Sequence, residues 1–409
     1  MSFRIRFLAT AAMLVSTLPL VITAARAQDP PAAAPAVYNH GFVLASPDEN
    51  FSLKANGLIQ IRFTGFKPNA NVVPLGESDA GAANFDLYLG RFAASGNAFS
   101  PNIKYFFQIQ GSTVGNSNAL SVLDWFMSDS PSKYLTFQLG RAWTPYSYEF
   151  YDGPTAMLFA DLSAAEYAFV LPRAIGVQVS GQAGRLGYAA FVANSIPALD
   201  AGGQENFNTK LAYILHLEFN VLAPYGYQET DPSGPAATPE LSLWASGAYN
   251  PVTAGSGLEN LTAGDTTWNG TGNIGFRCGP VSLQGTGYGR DTRRLAAGSY
   301  DSWGWTGQAG VYVVPKRAEL AARISGVTWG AADFGAGAPV ASPPGVENAW
   351  FNGPGFSYHR VTEDSAGFNY YLHGHNAKVQ VSYSYLHGAT FAGAPLSASR
   401  VWIQTQLAF

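Results

Sequence analysis

Residues 376 to 386 read Asn-Ala-Lys-Val-Gln-Val-Ser-Tyr-Ser-Tyr-Leu. Ala377, Val379, Val381, Tyr383 and Tyr385 fall on one parity, and Lys378, Gln380, Ser382 and Ser384 on the other. Successive side chains on a strand point to opposite faces, so this segment has one apolar and one polar face. The same alternation closes the chain, with Val401, Ile403, Leu407 and Phe409 against Arg400, Gln404 and Gln406. It also opens the patterned region, where Leu53, Ala55, Ile59, Ile61 and Phe63 oppose Lys54, Asn56, Gln60, Arg62 and Thr64. A soluble sandwich alternates too, but its strands mostly run about 5 to 6 residues. Most of the segments here run about 10 to 13, the length a tilted strand needs to cross a bilayer.

Working outward gives sixteen such segments: 51 to 67, 83 to 98, 101 to 114, 119 to 129, 133 to 142, 173 to 182, 185 to 195, 207 to 221, 238 to 250, 266 to 277, 280 to 291, 302 to 314, 317 to 329, 361 to 373, 376 to 387 and 398 to 409. Tight turns such as Ser100-Pro101-Asn102, Gly184-Arg185, Gly279-Pro280, Pro315-Lys316 and Gly374-His375 occupy alternate connections. Longer loops lie between them, including 68 to 82, 143 to 172, 292 to 301 and 330 to 360. Two connections break the rhythm: Gly115 to Asn118 is short where a long loop is due, and Leu222 to Ala237 is long where a tight turn is due. Short turns at one end and long loops at the other predict an all-β, closed antiparallel transmembrane barrel of about 16 strands, residues 51 to 409. In hydrocarbon every backbone N–H and C=O must pair internally, so the sheet has to close on itself. Sixteen strands leave an aqueous interior, and the polar parity of Lys, Arg, Gln, Asn, Ser and Thr suits one.

Composition agrees. Charged residues make up 12% of the 409, where a soluble domain carries about 25%. Aromatics reach 14% and glycine supplies 45 residues, yet the mean hydropathy is only +0.01. A wall that is lipid-facing on one side and water-facing on the other averages to neutrality. After residue 27 no run is long and apolar enough for a spanning helix, and a sequence pI near 5.9 offers no basic footprint for nucleic acid. Residues 1 to 27 read as a signal peptide: Arg4 and Arg6, an apolar run from Phe7 to Ile22, then Ala25-Arg26-Ala27. Its removal leaves 20 basic and 27 acidic residues, a balance of −7. Cys278 is the single cysteine, so no internal disulfide braces the exported chain. Residues 28 to 50, Pro- and Ala-rich at first, read as a periplasmic linker or short hairpin.

Several stretches resemble the phosphate-selective porin O and P family. Gln308 to Arg323 (QAGVYVVPKRAELAAR) looks like its late hairpin, and Gly367 to Lys378 (GFNYYLHGHNAK) and the ending Arg400 to Phe409 also match. Gly41-Phe42-Val43-Leu44 with Gly57-Leu58-Ile59-Gln60 resembles its opening, and Arg173 to Gly181 (RAIGVQVSG) the strand after its third loop. The likeness spans nearly the whole mature chain. It implies a bacterial outer-membrane barrel of sixteen strands, a homotrimer, and a third loop, residues 143 to 172, folded into the lumen as a constriction. It also implies that the barrel-assembly machinery reads the terminal aromatic Phe409. The departures concern substrate. Where the family's second strand carries an arginine cluster, Phe85 to Phe92 keeps only Arg91. Residues 143 to 172 hold no Lys or Arg but contain Glu149, Asp152, Asp161 and Glu166. A phosphate site needs several fixed cations or N–H donors.

The expected site is therefore a charged constriction. The acidic set Glu149, Asp152, Asp161 and Glu166 on the loop would face a basic, pore-lining wall of Arg62, Arg91, Lys104, Arg323, Lys378 and Arg400. The bland alternative puts some of these at strand ends as solvated rim charges. The loop's aromatics, among them Tyr146, Tyr148, Phe150, Tyr151, Phe159, Tyr167 and Phe169, would anchor it or offer sugars a sliding surface. Gly270 to Gly275 matches a dinucleotide fingerprint but opens no helix. His373 and His375 flank a tight turn with no acidic or Cys partner nearby, so a solvated turn is favoured over a metal site. Asp124, Asp152 and Asp161 are candidates for a barrel hydrolase, without a Ser/His/Asp spacing to single them out. The reading is a passive outer-membrane diffusion channel for small hydrophilic solutes and ions, partnered by outer-membrane lipid, with no cofactor, no metal, no nucleic acid and no reaction. The alternatives are a solute-specific porin for phosphate, another anion or a sugar, and a barrel-type outer-membrane enzyme.

Overall fold

Each long alternating segment pairs with its sequence neighbour through an antiparallel ladder, and the last pairs with the first. The computed structural model describes residues 37–38, 41–68, 82–113, 120–196, 210–234, 236–252, 263–296, 298–330, 358–390, 393 and 395–409. The expected signal peptide and the short connection Gly115 to Asn118 lie outside these residues.

Two short strands, β1 (Val37–Tyr38) and β2 (Phe42–Ala45), precede the wall. The wall runs β3 (Ser52–Pro68), β4 (Ala82–Asn97), β5 (Ile103–Gly111), β6 (Leu120–Ser132), β7 (Leu135–Trp143), β8 (Arg173–Ala183), β9 (Leu186–Ala193) and β10 (Ala212–Asn220). It continues through β11 (Ala236–Pro251), β12 (Thr266–Gly279), β13 (Val281–Arg293), β14 (Tyr300–Val314), β15 (Ala318–Thr328), β16 (Tyr358–His373), β17 (Ala377–Thr390) and β18 (Pro395–Ala408). β18 then pairs with β3 from Ala398↔Pro68 to Ala408↔Leu58, closing a sixteen-stranded antiparallel barrel. The expected segments and the observed strands agree to within a few residues. Gly270 to Gly275 lies inside β12 and opens no helix. Below the chain end β2 takes the place of β18, pairing Phe42↔Ala55 through Ala45↔Ser52.

Parity sorts the two faces. On β10 the outward set Leu215, Leu217 and Phe219 stays 42 to 55% exposed to the surroundings, while the inward Ala212, Ile214 and Asn220 are buried. Tyr213, Tyr249 and Trp268 sit outward at the long-loop end of three neighbouring strands, with ring centroids 6.4 and 4.9 Å apart. An amphipathic ring belt belongs at the membrane interface. Inside, polar side chains bond from strand to strand: Gln60 to Gln406 at 2.7 Å, Arg62 to Gln404 at 2.9 Å, Gln308 to Gln284 at 2.7 Å and Arg290 to Asn269 at 2.7 Å. An apolar outside and a hydrogen-bonded inside on one closed wall place the chain in the outer membrane. Hairpin turns close the other end, and Gly184 and Gly279 take φ of +61° and +56° there, a region that disfavours a side chain.

Candidate functional site

Between β7 and β8 the chain leaves the wall at Thr144 and returns at Pro172, where Thr144 N–H donates to the Pro172 carbonyl at 3.1 Å. The intervening loop folds into the barrel and carries two short helices, α1 (Tyr148–Asp152) and α2 (Ala164–Phe169). Ser163 starts α2 by accepting the Glu166 N–H at 3.1 Å. The same serine gives its N–H and hydroxyl to the two Glu149 carboxylate oxygens at 2.5 and 2.6 Å. The two helices are thus tied to each other. α2 then docks on the wall: Ala164 N–H donates to Glu363 at 2.9 Å and Ala165 N–H to Ser325 at 3.0 Å. Phe169 stacks on Tyr288 and Trp329, with centroids 5.7 and 5.6 Å away.

The wall holds the rest of the loop through its carbonyls. Gln60 donates to Pro154 at 3.0 Å, Gln406 to Thr155 at 3.1 Å, Lys378 Nζ to Met157 at 2.9 Å, Asn369 to Leu158 at 2.9 Å and Arg323 to Asp161 at 2.8 Å. Arg62 bonds both the Ala160 carbonyl and, at 2.6 Å, the Asp161 carboxylate. From the turn end a second segment rises to meet the loop. Residues 221 to 234, within the connection too long for a hairpin, bring Glu229 to the Leu158 N–H at 2.5 Å, while the Glu229 N–H donates to Asp152 at 3.1 Å. Tyr225 and Trp244 enclose Tyr148. The unusual length noticed in the sequence is lumen-filling chain.

The named charges fall into three groups. Arg62, Arg323, Lys378 and Arg400 are on the inner wall but buried under the loop. The expectation had the loop's acids facing this wall; Arg62 meets Asp161 and Lys378 meets a loop carbonyl, at close contact. Arg323 lies 2.9 Å from Glu363 and 3.5 Å from Glu149, and Arg400 lies 3.0 Å from the same Glu363 oxygen. Arg91 is half-buried and donates to Gln110 at 2.7 Å. Lys104 is exposed, close to the tight turn Ser100 to Asn102, as a rim charge. Of the acids, Glu149, Asp161 and Glu166 are buried and Asp152 is half-buried. Sequence reading missed Glu229, Glu319 and Glu363, although the last two sit on the polar parity of β15 and β16. It also missed Tyr88, whose hydroxyl donates to Asp161 at 2.9 Å while Arg62 lies 3.3 Å above its ring.

Burial divides the loop acids by their neighbours. It pushes the Asp161 carboxyl up, but Arg62 and the Tyr167 hydroxyl at 2.5 Å outweigh it and hold the group below its ordinary range. Burial pushes Glu166 up to about 7, against bonds from Ser147 and from Tyr288 at 2.6 Å. It raises Glu149 well above the usual value, against the opposing pull of Arg323 at 3.5 Å and of the Ser163 hydroxyl. Asp152 is raised by burial and then by the charge of Glu229, itself raised by burial. Asp124, Asp152 and Asp161, the hydrolase candidates, are engaged by Arg173 at 2.9 Å, by Glu229 N–H and by Arg62. His375 is half-buried rather than solvated and meets the Thr230 carbonyl at 3.0 Å, while His373 is exposed. Among the described residues no group of three or more His, Cys, Asp or Glu could hold a metal.

No family model matches the chain and no curated relative matches its sequence. Solved structures do match its fold. The anion-selective porin of Comamonas acidovorans superposes with TM-score 0.54 at 12% identity, covering 88% of this chain and 100% of that one. The outer-membrane channel DcaP of Acinetobacter baumannii gives 0.56 at 11% identity, covering 90% and 99%. OmpT, an outer-membrane protein of Vibrio cholerae, gives 0.55 at 10% identity, covering 92% and 100%. The chain therefore has the fold of bacterial outer-membrane channels.

Proposed function

We propose that the chain is an outer-membrane porin, a passive channel for small hydrophilic solutes and ions, without catalytic activity. One observation carries the reading: the loop seals only part of the lumen. Inward Gln60 and Arg62 on β3, Arg323 on β15, Lys378 on β17 and Gln404 on β18 are 1 to 3% exposed. Across the barrel, inward Ser95, Gln108, Gln110, Ser128, Gln138 and Ser180 on β4 to β8 remain half-exposed. Polar side chains with water-accessible surface inside a closed wall line a path for hydrated solutes. The path would run between the loop and this wall, with Arg91 beside it and Lys104 at its mouth. The resemblance to the phosphate-selective porins, a homotrimeric state and delivery by the barrel-assembly machinery through Phe409 belong to the same proposal.

The measurement is conductance. The full-length protein, processed on export and reconstituted in a planar bilayer, should give stepwise openings, with a reversal potential in a salt gradient that reports ion preference. Absence of steps from correctly folded protein would sink the reading.

A further inference from the structure

Between α1 and the inward faces of β8, β9 and β10 lies a cavity of about 150 Å³, partly open. A cavity of about this size has room for one six-membered ring. Half-buried Ser180, one of the side chains along the open path, is in its lining, so cavity and path share a wall. Tyr148, Tyr151 and Tyr227 supply the apolar side: the Tyr227 ring stacks on Tyr148 at 5.8 Å between centroids and lies 5.0 Å from Tyr151. The polar side is held from behind. Tyr227 donates its hydroxyl to the Glu218 carboxylate at 3.0 Å, and His216 Nδ1 shares a 2.8 Å bond with the Ser246 hydroxyl. Two further lining groups, the Tyr146 hydroxyl and Gln178 Oε1, have no hydrogen-bond partner, although the two residues are only 2 and 6% exposed. Leaving a buried polar atom unpaired is unfavourable, and a ligand that pairs it recovers the loss.

The lining separates the ligand classes. Among the described residues around the cavity there is no Lys or Arg, and Glu218 is the one carboxylate. An anion would lie against that carboxylate with no cation to hold it. An ammonium donates but cannot accept, which leaves the Tyr146 and Ser180 hydroxyls and the Gln178 amide N–H groups without an acceptor. Ring hydroxyls do both: they donate to Gln178 Oε1 and Glu218 and accept from Tyr146 and Ser180. A pyranose also offers apolar C–H faces to the tyrosine rings. We infer that this cavity is a binding subsite for a neutral pyranose unit, so that the channel admits sugars preferentially. The inference deepens the porin reading and rests on it for transport, not for binding.

The test uses glucose on the full-length protein in two assays. In detergent, saturation-transfer NMR should show magnetisation passing from the folded barrel to glucose protons, and much less to mannitol, an open-chain polyol, or to choline. In planar bilayers, glucose should interrupt the open current at concentrations about tenfold below those needed for mannitol or choline. Gln178→Leu should weaken both signals about fivefold, the loss of one neutral hydrogen bond. Ser180→Trp, which fills the cavity, should abolish them. Glu218→Gln keeps an acceptor and removes the charge, so it should change glucose block by less than about threefold. Heat-modifiable migration on gels establishes that each variant is a folded barrel; if Ser180→Trp is not, Tyr151→Ala removes a ring from the lining and should weaken glucose block about fivefold. Equal responses to mannitol and glucose would overturn the subsite, as would glucose signals indifferent to Gln178→Leu. A choline response that exceeds that of glucose and collapses in Glu218→Gln would overturn it in favour of a cation site. Saturation transfer without stepwise conductance would overturn the pore and keep the subsite, and conductance without transfer to glucose would do the reverse.

Discussion

Arg62 on β3 donates to Asp161 on the inserted loop at 2.6 Å, with both side chains at most 3% exposed. The guanidinium also reaches Gln404 and the Ala160 carbonyl and stacks on Tyr88, so wall and loop share one fully bonded charge pair. Removing one member leaves the other buried without its countercharge, which costs about 3 to 5 kcal/mol. Asp161→Asn should therefore loosen the loop rather than merely change a charge. The expected result is larger and noisier single-channel conductance with the barrel intact on gels. Unchanged conductance and noise would mean that the loop is held without this pair.

A second expectation concerns the charges that set ion preference. Glu149 is bonded by Ser163 and buried, and burial holds both carboxyls toward the neutral form. Glu149→Gln with Asp152→Asn should thus shift the reversal potential less than the single change Arg91→Gln, which should move it toward cations. The reverse ranking would show that Glu149 and Asp152 carry charge beside the ion path. The strand count and the two faces were legible because parity is local and repeats sixteen times. The placement of Arg62 and Arg323 was not, because parity says only that they point inward, not whether water or a loop meets them. That depends on where residues 144 to 172 fold, a matter of tertiary contacts such as Ala164 to Glu363, 199 residues apart. The overlong connection at 222 to 237 was a usable signal, since chain in excess of a hairpin must go somewhere.

Proton linkage gives a third expectation. Burial raises Glu166 to about 7 from an ordinary value of 4.5. The docked loop therefore binds a proton more tightly than the undocked loop, so docking is strongest below about pH 4.5, weakens as pH rises, and has lost this contribution above about 7. Glu149, Asp152 and Glu229 are shifted in the same direction and add to the trend, while Asp161, held low, contributes docking at neutral pH that is lost only in acid. Hydrogen exchange at the α2 amides, corrected for its intrinsic pH dependence, should accelerate between about pH 4.5 and 7. Glu166→Gln should flatten that rise, and a rise of undiminished size in this variant would assign it elsewhere.

The last concerns closure of the barrel at its seam. Gly57 and Phe409 exchange backbone hydrogen bonds of 2.9 and 3.0 Å, the final pair on the β3–β18 line. A side chain at residue 57 would strike the Phe409 ring, whose outer edge already occupies the position of its first carbon. The ring also meets Phe42 of β2 edge-on at 6.5 Å. Phe409 thus covers the point where β18 ends and β2 takes over, and a bare glycine is what lets it lie flat on β3. Gly57→Leu should displace the ring and fray the seam, with a cost of about 1 to 3 kcal/mol typical of overpacking. Deleting Phe409 removes the two closing bonds together with the ring. Both variants should lower the temperature at which the folded band converts to the unfolded one on gels, and the deletion should do so more. An unchanged conversion temperature in Gly57→Leu would show that the ring has another place to pack.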